Sequence, residues 1–116
     1  MEAAGINGRN MMNADSDIQV WLERLGQAQP AVIVPYVRSA SAHQLRYKLK
    51  ATKAGPNGRS VIGQGGNLQV VAGQSAPLGK MTITYGPEDD CQVDVILYET
   101  GQEYARFEFE CPPNGS

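Results

Sequence analysis

Two cysteines, Cys91 and Cys111, are the only thiols of this sequence, and His43 is its only imidazole. A Cys–His nucleophile pair or a zinc centre would have to be assembled from these three side chains. Their spacing matches no metal motif, and His43 has no second histidine and no neighbouring carboxylate in sequence. It opens a strand pattern and is expected to be exposed. Glu88, Asp89 and Asp90 could hold a cation, but a solvated turn in GPEDD accounts for them more simply. No nucleophile–base or paired-carboxylate arrangement has useful spacing. The sequence therefore predicts no enzyme, no metal and no cofactor. What remains for the cysteines is each other: a disulfide, or two buried thiols at the end of a sheet.

Charge is the second chemical resource. The net charge is −2, which gives no argument for nucleic acid as a partner. The distribution is less even. Six of the ten Lys and Arg residues lie between positions 38 and 59, and none of the twelve carboxylates lies between Arg24 and Tyr85. Arg46, Lys48 and Lys50 alternate along one strand pattern, and Arg38, Lys53 and Arg59 are candidates to join them. Such a cationic surface would steer a flexible acidic partner and weaken with salt. The simpler role for the same charges is solubility.

These residues must be positioned by strands. The chain has 116 residues, 41% hydrophobic and 19% charged, which fits one domain with a core. In HQLRYKLKATK, Leu45, Tyr47, Leu49 and Ala51 alternate with Gln44, Arg46, Lys48 and Lys50, the pattern of a half-buried strand. CQVDVILYE places Cys91, Val93, Val95 and Leu97 on one face. EYARFEFEC does the same with Ala105, Phe107, Phe109 and Cys111. Weaker strands are expected at 17–23, 32–38, 59–64, 68–72 and 80–86. Pro35 implies an edge, a bulge or a bend in the second of these. GQAQP, SASA, AGPNG, GQGGN, GQSAPLG, GPEDD and TG read as turns, with Gly65 and Gly66 supplying positive φ in GQGGN. In DIQVWLE, Trp21 shares a face with Gln19 and Glu23, so cross-strand or core packing is a plainer role for it than anchoring a partner. Seven or eight antiparallel strands make an all-β sandwich, with a small closed barrel as the alternative. Residues 16–111 form the domain, residues 1–15 a mobile leader and residues 112–116 a tail. No apolar run is long enough to span a membrane, and no secretory signal opens the sequence.

The last two strands flank ETGQ and should form a hairpin with both apolar faces on one side. One register pairs Leu97 with Ala105, Val95 with Phe107, Val93 with Phe109 and Cys91 with Cys111. It sets Tyr98 opposite Tyr104. A second ends the loop on a left-handed Gly101, pairs Cys91 with Phe109 and leaves the cysteines diagonal. The sequence leaves both open.

Gly58 to Gln74, GRSVIGQGGNLQVVAGQ, mixes β-branched residues with Gln, Gly and Asn and carries one charge. That is an amyloid-prone composition. It occurs once, without the repeats of an amyloid subunit. The surrounding motifs resemble the CsgC/CsgH family of curli-assembly inhibitors, its CsgH branch in particular. They are Trp21-Leu22-Glu23, Arg46-Tyr47-Lys48-Leu49, Gly58 to Gly66, Ala72-Gly73 with Leu78, and Leu97-Tyr98 with Gly101, covering about residues 17 to 110. The resemblance implies an immunoglobulin-like β-sandwich, a periplasmic location and a chaperone-like role. It implies curli amyloid subunits as partners. Because amyloid grows by adding strands to exposed edges, a monomer is expected to meet them through a basic sheet face or a strand edge. The Cys-x-Cys of the CsgC branch is absent, so a redox role does not carry over. The competing reading is a structural or adhesive immunoglobulin-like module of a surface assembly.

Overall fold

The computed structural model describes residues 18–26, 28–56 and 58–112. The expected leader, and the tail beyond Pro112, lie outside the described residues. Eight strands follow in order: β1 (Ile18–Leu25), β2 (Ala31–Ser39), β3 (His43–Gly55), β4 (Gly58–Val70), β5 (Ala76–Pro77), β6 (Met81–Ile83), β7 (Asp90–Glu99) and β8 (Gln102–Glu110). They form two sheets. In one, β2 pairs with β1 on one side and with the short β5 and β6 on the other. The second has the order β4-β3-β7-β8, every pairing antiparallel. This is an immunoglobulin-like sandwich: β1, β2 and β6 stand where strands A, B and E do, and β4, β3, β7 and β8 match C′, C, F and G. Among the described residues both sheets keep open edges, so the barrel alternative is set aside.

Alternation in the sequence builds the core directly. Leu45, Leu49 and Ala51 of β3, Val93, Val95 and Leu97 of β7, and Ala105 and Phe107 of β8 point inward. They meet Ile18 and Val20 of β1, Ile33 and Val37 of β2, and Met81 and Ile83 of β6. Burying each large aliphatic side chain contributes about 1.5–3 kcal/mol, and these rows tie the two sheets together. Pro35 is tolerated within β2 because of what lies beside it. Its carbonyl accepts from Leu78 N at 2.8 Å, between the β6 ladder at residues 31–33 and the β5 ladder at Tyr36 and Val37. The missing N–H faces that break, where no ladder bond is lost.

The GQGGN segment is not a turn. β4 runs unbroken for 13 residues through Gln64-Gly65-Gly66-Asn67, paired with β3 from Gly55↔Gly58 to His43↔Val70. The hairpin turns instead after the pair Gly55↔Gly58. Neither Gly65 nor Gly66 has a positive φ. What Gly66 supplies is room: a Cβ there would stand 2.8 Å from the Tyr47 hydroxyl and 3.0 Å from its Cζ. Tyr47, directly opposite, lies over the bare backbone and restores the contact that a glycine strand lacks.

At the other end of β3, Asp89 closes the 86–89 turn, accepting from Gly86 N at 2.8 Å while its own N–H donates to Gly86 O at 3.1 Å. Its carboxyl group rests against Gly55, where a Cβ would fall in collision with Oδ1 and 2.8 Å from Cγ. Gly55→Ala should therefore displace this turn and cost about 1–3 kcal/mol. Gly63→Ala, where the nearest atom to a new Cβ is Leu49 O at 3.9 Å, should leave the urea midpoint almost unchanged. Equal midpoints for the two variants would contradict the packing described.

Candidate functional site

The outward face of the β4-β3-β7-β8 sheet carries the charge. On β3, burial alternates so that Arg46, Lys48 and Lys50 are exposed while Leu45, Leu49 and Ala51 are covered. Their neighbours in register on β4 are Asn67, Gly65 and Gly63. On β7 they are Tyr98, Ile96 and Asp94. Arg59 is exposed, opposite Ala54, and joins the same face at the hairpin end.

Two of the six basic candidates lie elsewhere. Arg38 sits on β2, in the other sheet, with its Nε donating to Gly73 O at 3.3 Å. It faces out from the opposite side of the sandwich. Lys53 has the parity of Leu49 and Ala51, so its stem points between the sheets and its Nζ donates to Thr84 O at 3.0 Å. Sequence distance suggested a common surface; the sandwich separates these two from it. The cationic group is Arg46, Lys48, Lys50 and Arg59.

Acidic residues share the face on its other half. Asp94 is the register partner of both Lys50 on β3 and Glu108 on β8, and Glu110 follows opposite Gln92. Asp94 and Glu108 are like charges directly opposed, an unfavourable pair. Arg106 offsets part of this field but is engaged by Glu103 through two bonds, Nε to Oε2 at 3.2 Å and Nη2 to Oε1 at 3.0 Å. The guanidinium holds the Glu103 carboxyl below its ordinary pKa, chiefly through those hydrogen bonds. The face is thus divided: a basic row on β3, a nearly neutral β4 beside it, and an acidic β7–β8 half.

β4 also ends the sheet, with no strand paired to its far side among the described residues. Edge strands commonly carry charges or stay short, which discourages pairing with another chain. β4 is long and has one charge, Arg59. Val61 on this strand is 53% exposed.

The β7–β8 hairpin resolves the two registers by combining them. Leu97↔Ala105, Val95↔Phe107 and Val93↔Phe109 are paired, as in the first register. The tip closes on Glu99↔Gln102 with Thr100 and Gly101 both at positive φ, 51° and 82°, a type I′ turn. A bulge after Leu97 takes up the one-residue difference. Cys91 and Cys111 come together and form a disulfide with Cα atoms 5.3 Å apart. The bulge also removes the expected Tyr98–Tyr104 pair, since Tyr98 faces Glu103.

Tyr104 turns to His43, their ring centroids 5.3 Å apart. His43 is not exposed as expected: its side chain is 11% accessible, with Nδ1 3.0 Å from Glu99 Oε2. The other ring nitrogen, Nε2, lies 3.5 Å from the Tyr104 hydroxyl. The carboxylate comes from β7, far away in sequence. Trp21 stacks on Tyr36 opposite it, with centroids 5.8 Å apart and planes within 11°, and its Nε1 donates to Glu23. It is cross-strand packing. Among the described residues, no three His, Cys, Asp or Glu side chains are placed to hold a metal ion.

Two solved structures share this architecture. R. palustris CsgH is 19% identical, with a TM-score of 0.61 over 76% of this chain and 87% of its own. The E. coli curli protein CsgC, in its SeCys form, is 21% identical, with a TM-score of 0.66 over 83% of this chain and 99% of its own. At such identities the likeness speaks for the fold. No curated protein matches the chain. The family model described as thin aggregative fimbriae synthesis protein, Tafi-CsgC, matches residues 11–105. That span takes in seven strands and the start of β8, with the basic row and the β4 edge, and on it this chain belongs to the CsgC/CsgH family of curli assembly proteins.

Proposed function

We propose that this protein restrains the polymerisation of curli subunits. It acts as a non-enzymatic, chaperone-like inhibitor in the periplasm, binding its clients transiently and without covalent chemistry. The observation that carries this reading is an adjacency. A 13-residue edge strand of amyloid-like composition, with no partner on its far side among the described residues, lies next to a row of three exposed cations in a chain of a curli assembly family. Amyloid grows by adding strands to open edges. A soluble edge that engages the incoming strand, with cations that attract it, delays that addition. The Cys91–Cys111 disulfide supports an oxidising compartment.

The test is a fluorescence time course of curli-subunit polymerisation with this protein at substoichiometric dose. The unmodified protein should lengthen the lag. Changing Arg46, Lys48 and Lys50 together to Glu should remove most of that effect, and added salt should weaken the unmodified protein in the same direction. No lag extension by the unmodified protein rejects the function. Equal extension by the triple variant rejects the basic row as its means. A stable stoichiometric complex with an unchanged lag would indicate the structural or adhesive module instead.

A further inference from the structure

The basic row and the strand edge are separated by one strand, and the side chains of that strand decide whether they act together. On β4, residues 59, 61, 63, 65, 67 and 69 are exposed on the cationic face, and from Ile62 to Val70 they alternate with better covered neighbours. Among them, the two positions opposite Lys50 and Lys48 are Gly63 and Gly65. Both lack a side chain where a lysine stem would have to cross β4 to reach the open edge.

We propose that Gly63 and Gly65 form a window through which Lys50 and Lys48 bind carboxylates on an extended strand added to the β4 edge. This deepens the function proposed above and rests on it for its biological setting. The partner it specifies is an extended peptide segment with acidic residues at positions i and i+2.

Distances support the reach. Neighbouring strands lie about 4.8 Å apart, so an added strand runs roughly 9.6 Å from β3. A lysine ammonium reaches roughly 6 Å from its Cα and a glutamate carboxylate roughly 3.5 Å, so with an N···O contact of about 2.8 Å the pair spans more than the separation and can arch over β4. The two meet above the β4 backbone only if nothing stands between them. Successive outward positions repeat about every 6.7 Å along a strand, the interval between Gly63 and Gly65 and between Lys50 and Lys48. Carboxylates at i and i+2 fall on the same face and meet both ammonium groups.

The glycine at 63 has no evident structural duty. Its φ is not positive, and a Cβ would meet nothing nearer than Leu49 O at 3.9 Å. A strand-interior glycine that packing does not require often marks the close approach of another chain or ligand. Gly65 is tighter, with Tyr47 O 3.2 Å from a Cβ, so Gly63 is the cleaner position to alter. Among the described residues neither Lys48 nor Lys50 forms a salt bridge. Asp94 lies on the far side of Lys50, on β7, so the acidic half of the face repels a carboxylate strand from β8 and favours the β4 side.

The probe is a capped, fluorescein-labelled octapeptide of Thr and Val with Glu at two alternate positions, beside an isosteric Gln version. Binding is read by anisotropy, and its place by amide hydrogen exchange. The Glu peptide should bind saturably and slow exchange between residues 59 and 69. The Gln peptide should bind roughly tenfold more weakly. Gly63→Leu should reduce the Glu peptide to the level of the Gln peptide, while Gly63→Ala, which leaves space above the backbone, retains most of the affinity. Circular dichroism of both variants checks that the sheet is intact.

No binding, equal affinity for the two peptides, or an unaltered Gly63→Leu protein each overturns the window. So does protection at β1 or β8 in place of β4, or a dimer of this chain that protects β4 without peptide. The assay contains no curli subunit. Its failure therefore removes the window alone, and the polymerisation time course judges the inhibitory function separately.

Discussion

Leu49→Ala should lower the free energy of unfolding by about 3 kcal/mol, with a range of roughly 2–5. Leu49 is fully buried in β3, a central strand with β4 on one side and β7 on the other. Its side chain sits beneath the ladder pair Leu49↔Gln64 and reaches the backbone at Gly79, where Cδ1 is 3.2 Å from the position of a Cβ. Truncation removes buried methyl groups and leaves a cavity between strands that a continuous ladder holds apart, so collapse is limited. Total stabilities of such domains are about 5–15 kcal/mol, and the variant would lose a large share. The measurement is the urea midpoint at unchanged slope. Val61→Ala, on the exposed β4 edge, is the control and should move it by no more than about 0.5 kcal/mol. Similar shifts for the two would mean that the inter-sheet core does not hold the fold.

Removing the disulfide should have a comparable effect. The bridge joins Cys91 at the start of β7 to Cys111 just beyond β8, across 20 residues of sequence, and Cys111 N donates to Cys91 O at 2.9 Å beside it. In the chain-entropy description, closing a loop of this length in the unfolded ensemble contributes about 3 kcal/mol. For a domain near 100 residues, that corresponds to a fall in Tm of roughly 10–20 °C. The double variant Cys91→Ser/Cys111→Ser should show it in a thermal melt, and reductant should lower the Tm of the unmodified protein but not of the variant. A Tm unaffected by reductant would mean that the hairpin is held by its ladder alone.

The parts of this fold that are legible in the sequence are those set by period-two alternation. Leu45, Leu49 and Ala51, then Val93, Val95 and Leu97, then Ala105 and Phe107 are read inward from the pattern and are buried. The register of β7 and β8 is bounded by the same rule, because a slip would expose one of those rows. What is not legible depends on partners distant in sequence. Gln64-Gly65-Gly66-Asn67 has turn composition, but the ladder to β3 and the Tyr47 ring over Gly66 make it strand. β5 arises within GQSAPLG, also turn-like, because β2 offers it a neighbour at Tyr36 and Val37. His43 is covered by Glu99 and Tyr104, 56 and 61 positions away.

The basic site was legible in part for the same reason. Arg46, Lys48 and Lys50 share a strand and therefore a face, which the sequence determines. Whether Arg38 and Lys53 join them depends on which sheet each strand enters and on which side of it each residue stands. The cluster of charges in the chain carries neither fact. The division of the face into basic and acidic halves is equally invisible, because Lys50 and Asp94 become neighbours only through the β3–β7 pairing. The glycine window belongs to this class: it exists only once Gly63 and Gly65 are set in register with Lys50 and Lys48.

The stack of Trp21 on Tyr36 has a practical side for anyone studying this protein by light emission. It is the chain's one indole, and it lies on the outside of the β1–β2 sheet. The ring reports on that sheet and on the Glu23 carboxylate bonded to its Nε1. A guest seated along β4 lies on the other sheet and leaves this intrinsic chromophore undisturbed, so a flat emission titration is what a successful encounter at β4 should produce.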